Sequence, residues 1–306
     1  MKKLFEKIIE KALMLSAFIS IITTVGIVWV LVSESYSFFQ EVSLREFLTD
    51  KQWTPLFSEK HFGILPLVSG TMVTTFVALA VAIPIGLTIA VYLNEYAHKR
   101  SKKFIKPLLE ILAAVPTVVY GFFALIVVTP ALQKITNFLR DALPFAAEYI
   151  PELSGFNALS AGLVMGIMII PFISSLSEDA LRSVPKSLRE ASYGMGATRF
   201  QTAFKVLVPA ASSGIISSVI LAFSRAIGET MIVAIAAGQT PNLTFNPAEP
   251  VETITAFIVQ VSLGDVQHGS LEYKTIFAAG ITLFIFTFIL NNISFWINRR
   301  YRQQYE

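Results

Sequence analysis

The chain has 306 residues, of which 54% are hydrophobic and 15% charged, with a formal net charge of +3 and a mean hydropathy of +0.63. Soluble domains carry about 25% charged residues, so this composition excludes a soluble enzyme, a disordered chain and a nucleic-acid reader. Cysteine is absent, which excludes disulfides and thiolate metal sites. No cofactor is expected.

Uncharged runs cover 12–33, 62–94, 111–133, 153–177, 206–224 and 275–298. At about 1.5 Å per helical residue each is long enough for a hydrocarbon core of about 30 Å. The expected fold is therefore an all-α integral membrane protein with six transmembrane helices. The first run follows Met1-Lys2-Lys3 and has a small-x-small site at Ser33-Glu34-Ser35. Its 22 apolar residues exceed the roughly 7 to 15 of a signal peptide, so it reads as a retained span. Residues 34–61 hold Tyr36, Phe38, Phe39 and Trp53 among acids, which suits a small amphipathic cap at the membrane surface. Pro84, Pro116 and Pro171 interrupt spans 2, 3 and 4 as kinks or hinges. Residues 239–252 contain three prolines, so span 5 should end near Gly238. Residues 253–264 are apolar but too short to cross, and fit a surface or re-entrant helix. The expected organisation is an N-terminal span with external loop over 1–61, a core over 62–298 with a cytoplasmic loop at 178–209, and a tail at 299–306.

Lysine and arginine set the orientation. Seventeen fall on one side: Lys2, Lys3, Lys7 and Lys11; five from Lys99 to Lys106; Arg182, Lys186, Arg189, Arg199 and Lys205; and Arg299, Arg300 and Arg302. Six fall on the other: Arg45, Lys51, Lys60, Lys134, Arg140 and Lys274. The positive-inside rule then makes both termini cytoplasmic, and the basic balance needs no nucleic acid.

The loop at 178–209 is unusually helix-forming. Ser187-Leu-Arg-Glu190 and Thr198-Arg-Phe-Gln201 both have the capping-box form. One short helix should start after Ser187 and break at Gly194–Gly196, and a second should start after Thr198. Leu188, Ala191 and Met195 would share an apolar face, and Pro209 should disfavour helix at residue 208. These residues resemble a known family. Glu190-Ala191-Ser192, three residues, Gly196, nine residues, then Val206-x-Val208-Pro209 is similar to the EAA motif, E-A-A-x3-G-x9-I-x-L-P, of ABC-importer permease subunits. Three positions depart from it: Ser192, Val206 and Val208. The stretches Ala113–Gly121 and Ser224–Met231 resemble phosphate permeases, with Gly-Glu-Thr-Met nearer the PstC type than the PstA type.

The resemblance implies a type I importer (MetI-like) core in a bacterial plasma membrane, and a coupling helix that docks on an ATPase subunit. Ser187, Leu188, Glu190, Ala191, Gly196 and Pro209 would carry that coupling. The implied partners are a second, PstA-like permease, a PstB-like ATP-binding dimer, an external PstS-like phosphate-binding protein and membrane lipid. No G-x-x-x-x-G-K-[ST] loop occurs, so the chain is not expected to hydrolyse ATP itself. An autonomous channel or ion-coupled carrier is the competing class.

Arg225 and Glu229 lie inside the fifth apolar region. Each would cost about 2.5–3.5 kcal/mol if left facing lipid, so both must face protein or water. Four residues apart on one helix, they are compatible with a structural ion pair, a place on the solute path, or both. If span 5 enters the membrane near Ala211, Arg225 should sit past the midplane, toward the outer face. A guanidinium fork matches phosphate oxygens.

Overall fold

The computed structural model describes residues 2–301; Arg302 and the rest of the expected tail to 306 lie outside the described residues, as do the side chains of Lys2, Lys3, Arg299 and Arg300. The described residues form helices α1 (Lys2–Phe39), α2 (Leu44–Thr49), α3 (Leu65–Val91), α4 (Lys99–Ala114), α5 (Thr117–Phe123), α6 (Thr129–Ala142), α7 (Ala158–Arg182), α8 (Lys186–Gly194), α9 (Arg199–Thr202), α10 (Val208–Ala210), α11 (Ser212–Ile227), α12 (Met231–Ala236), α13 (Ile254–Leu263) and α14 (Leu271–Tyr301). Five continuous helical stretches are long and apolar enough to cross a membrane: Phe5–Phe39, Leu65–Tyr96, Thr117–Ala142, Ala158–Arg182 and Leu271–Ile297. A bent pair, Arg199–Ala210 and Ser212–Ile227 at 72°, makes a sixth when the two are counted as one span.

The centre is the pair α3 and α7. Their backbones approach through small residues: a Cβ on Gly162 would sit 2.7 Å from Val77, and one on Gly166 would sit 2.7 Å from the Ala78 carbonyl. Such close approach is how helices associate in lipid, where apolar burial supplies little drive. Met165, Ile169 and Ile173 of α7 and Ala78 and Ala82 of α3 are buried along this seam. Helix α11 joins it through a buried Ser177–Ser218 hydroxyl pair at 2.8 Å. By contrast α1 is exposed from Phe5 to Ile27, and its last turns are tied to α14 by the buried Ser35, whose hydroxyl donates to the Phe277 carbonyl at 2.9 Å.

Residues 40–64 close one end of the bundle, called the cap end below. Phe47, Trp53 and Phe62 of this segment are buried with Phe38 at the end of α1 and meet edge-to-face, and Trp53 reaches Phe257 of α13 at 5.0 Å between ring centroids. The short helix α13 therefore packs into the bundle under this cap. Lys60 pairs with Glu272, and Lys274 pairs with Glu41 at 2.7 Å, fastening the cap to the start of α14.

Proline acts differently from expectation at two positions. Pro116 does not kink a span; it ends α4 and opens α5, with extended backbone at φ −59°, ψ 137°. Residue 208 is helical (φ −62°, ψ −46°) although Pro209 follows. A widened π-turn at Ala203–Leu207, in which the Val208 amide bonds Ala203 five residues back, moves the carbonyls away from the proline ring. The same device at Ala124–Val128 precedes Pro130.

Candidate functional site

At the end opposite the cap, α8 and α9 make the projection anticipated from the motif. The second capping box forms: the Gln201 amide donates to Thr198 Oγ1 at 3.3 Å and the Thr198 amide donates to Gln201 Oε1 at 2.9 Å. The first does not. Pro185 sets an extended entry (φ −55°, ψ 137°), the helix begins at Lys186, and Ser187 is already helical, so its hydroxyl cannot fold over the first-turn amides. Ser187 and Glu190 are exposed instead. Between the helices Gly196 has φ +80°, and its amide donates to the Tyr193 carbonyl at 2.9 Å. Ser192, where the motif has alanine, adds a hydroxyl contact to Thr202 at 2.9 Å that ties the two helices across the turn.

The expected apolar face is divided. Leu188 turns toward a buried cluster of Leu181, Val184, Ala203 and Leu207, whereas Ala191 is exposed and Met195 is 88% exposed at the tip. Pro209 is also exposed. Of the three residues expected on that face, Ala191 and Met195 are thus the exposed ones, while Leu188 roots the projection in the bundle.

Arg225 and Glu229 are not an ion pair. Helix α11 ends at Ile227 and residues 228–230 are not helical, so the expected four-residue spacing on one face is lost. The Glu229 carboxylate instead accepts from the Ile232 amide at 3.4 Å, at the start of α12, and its carbonyl accepts from the Thr255 hydroxyl at 2.6 Å. Arg225 makes no ion pair or hydrogen bond among the described residues and lines a cavity of about 440 Å³ with Leu93, Lys106, Glu110, Met168, Pro171, Phe172, Ser175 and Glu178. Since Ser218 meets Ser177 and α11 runs antiparallel to α7, Arg225 lies level with the middle of α7. Its cavity extends toward the loop end through Leu93, Lys106 and Glu178, while the residues from Ser212 to Arg225 lie along one continuous helix, so the bend at Ala211 and the break at Gly228 leave the residue count between them intact.

Below Arg225, Glu178 holds two cations, Lys106 at 2.9 Å and Arg182 at 2.6 Å. The Arg225 side chain has no carboxylate partner among the described residues, is exposed, and shares its cavity with the carboxylates of Glu110 and Glu178; a guanidinium carries five N–H donors suited to an anion. Sequence reasoning missed Lys106 and Glu178 because neither stands in an apolar run. It also missed Glu95, which sits 4% exposed beside α8.

Outside the spans, at the cap end, Glu252 is 2% exposed, with Oε1 unbonded among the described residues. Burial raises its carboxyl from 4.5 to about 8. A raised acid pKa means that the fold holds the neutral form, so the stability linked to it is complete below about pH 4.5 and is lost as pH rises through about 8. Glu252→Gln should flatten the fall in thermal midpoint of the detergent-solubilised protein across that window; an unchanged profile would refute the assignment.

An all-helical multi-pass bundle with an exposed helical projection at one end and a cavity-facing arginine at its middle is a membrane permease subunit. Residues 82–303 match the family described as the binding-protein-dependent transport system inner membrane component, and the chain belongs to it. A probable ABC transporter permease protein, YqgH of Bacillus subtilis, is 37% identical over 248 residues, covering 81% of this chain and 75% of that protein. The phosphate transport system permease protein PstC of Mesorhizobium japonicum is 34% identical over 252 residues, covering 80% and 75%. Among solved structures, a bacterial alginate ABC transporter aligns with TM-score 0.54 at 16% identity, over 94% of this chain and 96% of that one. The MetNI methionine ABC transporter aligns with TM-score 0.53 at 19% identity, over 79% and 95%. The fold is that of an ABC importer permease.

Proposed function

We propose that the chain is the PstC-like permease of an importer that moves inorganic phosphate into the cytoplasm, driven by a separate ATP-binding subunit. The observation that carries the reading is Arg225: an arginine with no carboxylate partner among the described residues, lining a mid-bundle cavity, suits an oxyanion in transit. The relatives named for phosphate transport support that solute. Sulfate and molybdate share the tetrahedral oxyanion chemistry. Uptake of labelled phosphate into cells lacking the chain should be restored by its expression, with sulfate and molybdate uptake unchanged; restoration of either of those alone would reassign the solute.

The projection of α8 and α9 docks on the ATPase subunit through Ala191, Met195 and the exposed Ser187 and Glu190. A PstA-like second permease supplies the opposite wall of the route, and a PstS-like binding protein delivers the anion at the cap end. Both termini and the projection are cytoplasmic in this reading. A cysteine placed at Ser187 should label only after the membrane is opened, a clean assay because the chain has no cysteine of its own. Labelling from outside intact cells would reverse the orientation.

A further inference from the structure

Among the described residues, a polar contact at Glu95 fastens the projection to the bundle. Tyr92–Tyr96 forms a π-turn continuing α3, and the Glu95 carboxylate extends from it to α8. Arg189 Nη2 lies 2.7 Å from Glu95 Oε1, and the Tyr193 hydroxyl donates to Glu95 Oε2 at 3.0 Å. Arg189 and Tyr193 are four apart, so one buried carboxylate meets two successive turns of α8, by charge attraction at Arg189, where Oε1 is close but makes no hydrogen bond, and by a hydrogen bond at Tyr193. The Glu95 side chain is 4% exposed and that of Arg189 is 30% exposed, so the pair is shielded from solvent on the acid side. Two residues before Glu95, Leu93 lines the Arg225 cavity.

We infer that Glu95 is the positioning residue that makes α8 and the end of α3 move as one body, carrying displacement of the docked projection to the cavity wall at Leu93. This rests on the docking reading above. A wide turn in place of regular helix re-aims the side chain by one position, which is what brings the acid onto α8. Removing the acid would leave Arg189 beside the bundle without its counter-charge and release both turns together.

The test uses the full complex in proteoliposomes with phosphate-loaded binding protein, reading phosphate imported per ATP hydrolysed. Glu95→Gln should lower that ratio at least fivefold while the ATPase stays bound, Tyr193→Phe should lower it less, and the exchange Glu95→Arg with Arg189→Glu should recover most of it. A Glu95→Cys, Arg189→Cys pair joined by a short bismaleimide should transport at the unsubstituted ratio, since two parts of one body tolerate a covalent link. Unchanged ratios in Glu95→Gln and Tyr193→Phe would overturn the inference. So would a joined protein that hydrolyses ATP without transport, because α8 and α3 would then have to separate. Failure of the ATPase to copurify with the unsubstituted chain would instead defeat the docking reading, so the two failures are distinguishable.

Discussion

Arg225→Lys should cut phosphate uptake about 10- to 100-fold while the protein still inserts and binds its ATPase. The size follows from what is lost: charge-assisted hydrogen bonds contribute about 1.5–3 kcal/mol, and about 1.4 kcal/mol is a factor of ten. Lysine keeps the charge but replaces a planar fork with a point donor. Because Arg225 faces a cavity and has no carboxylate partner among the described residues, its substitution removes no ion pair, and stability should change little. Glu229 divides the possibilities further. If the two residues were a pair, exchanging them as Arg225→Glu with Glu229→Arg would preserve function. In the observed geometry it would place a cation at the start of α12, where the Ile232 amide points, and an acid in the cavity. Uptake should therefore be lost in an assembled complex, and near-normal uptake would remove Arg225 from the solute path. Glu229→Gln keeps an acceptor for the Ile232 amide and should be mild, costing about 0.3–1 kcal/mol of charge–dipole interaction.

Gly196→Pro should uncouple the transporter, with solute-stimulated ATP hydrolysis and uptake no longer rising together. Gly196 has φ +80°, which proline cannot adopt, and its amide bonds the Tyr193 carbonyl, which proline cannot do. Both requirements fail in the same turn, so the angle between α8 and α9 must change. The site is open: a Cβ there would meet nothing within 4 Å, so the effect is conformational and not a clash. Gly196→Ala tests this, because alanine at positive φ costs roughly 1–2 kcal/mol and should produce a smaller defect of the same kind. Insertion and association with the second permease should persist in both. Unchanged solute-stimulated ATPase activity in the proline variant would show that the turn does not transmit the signal.

Much of this protein was legible in its sequence, and the legible part has one physical origin. Lipid cannot hydrogen-bond a peptide group, so every crossing needs a long apolar helix, and length and charge alone reveal it. The helix–glycine–helix projection was legible for a related reason: Thr198 with Gln201 satisfies helix-end amides locally, and Gly196 supplies a conformation that few residues adopt. Local rules also misfired where two competed. Ser187 has the capping pattern, but Pro185 starts the helix earlier and cancels it.

Tertiary structure decided what lies opposite what. Gly162 and Gly166 stand four apart, a spacing that signals close helix contact, but only the fold shows that α3 is the partner. The pairing of Arg225 with Glu229 seemed set by their separation, yet it required an unbroken helix, and Gly228 ends the helix between them. Glu95 carried no signal because its partners, Arg189 and Tyr193, are nearly a hundred residues away. Hydrophobic length and end-capping act within one or two turns and are written in neighbouring residues. Charge partners and cavities arise from side chains that meet only after the helices pack, and no local spacing encodes that meeting.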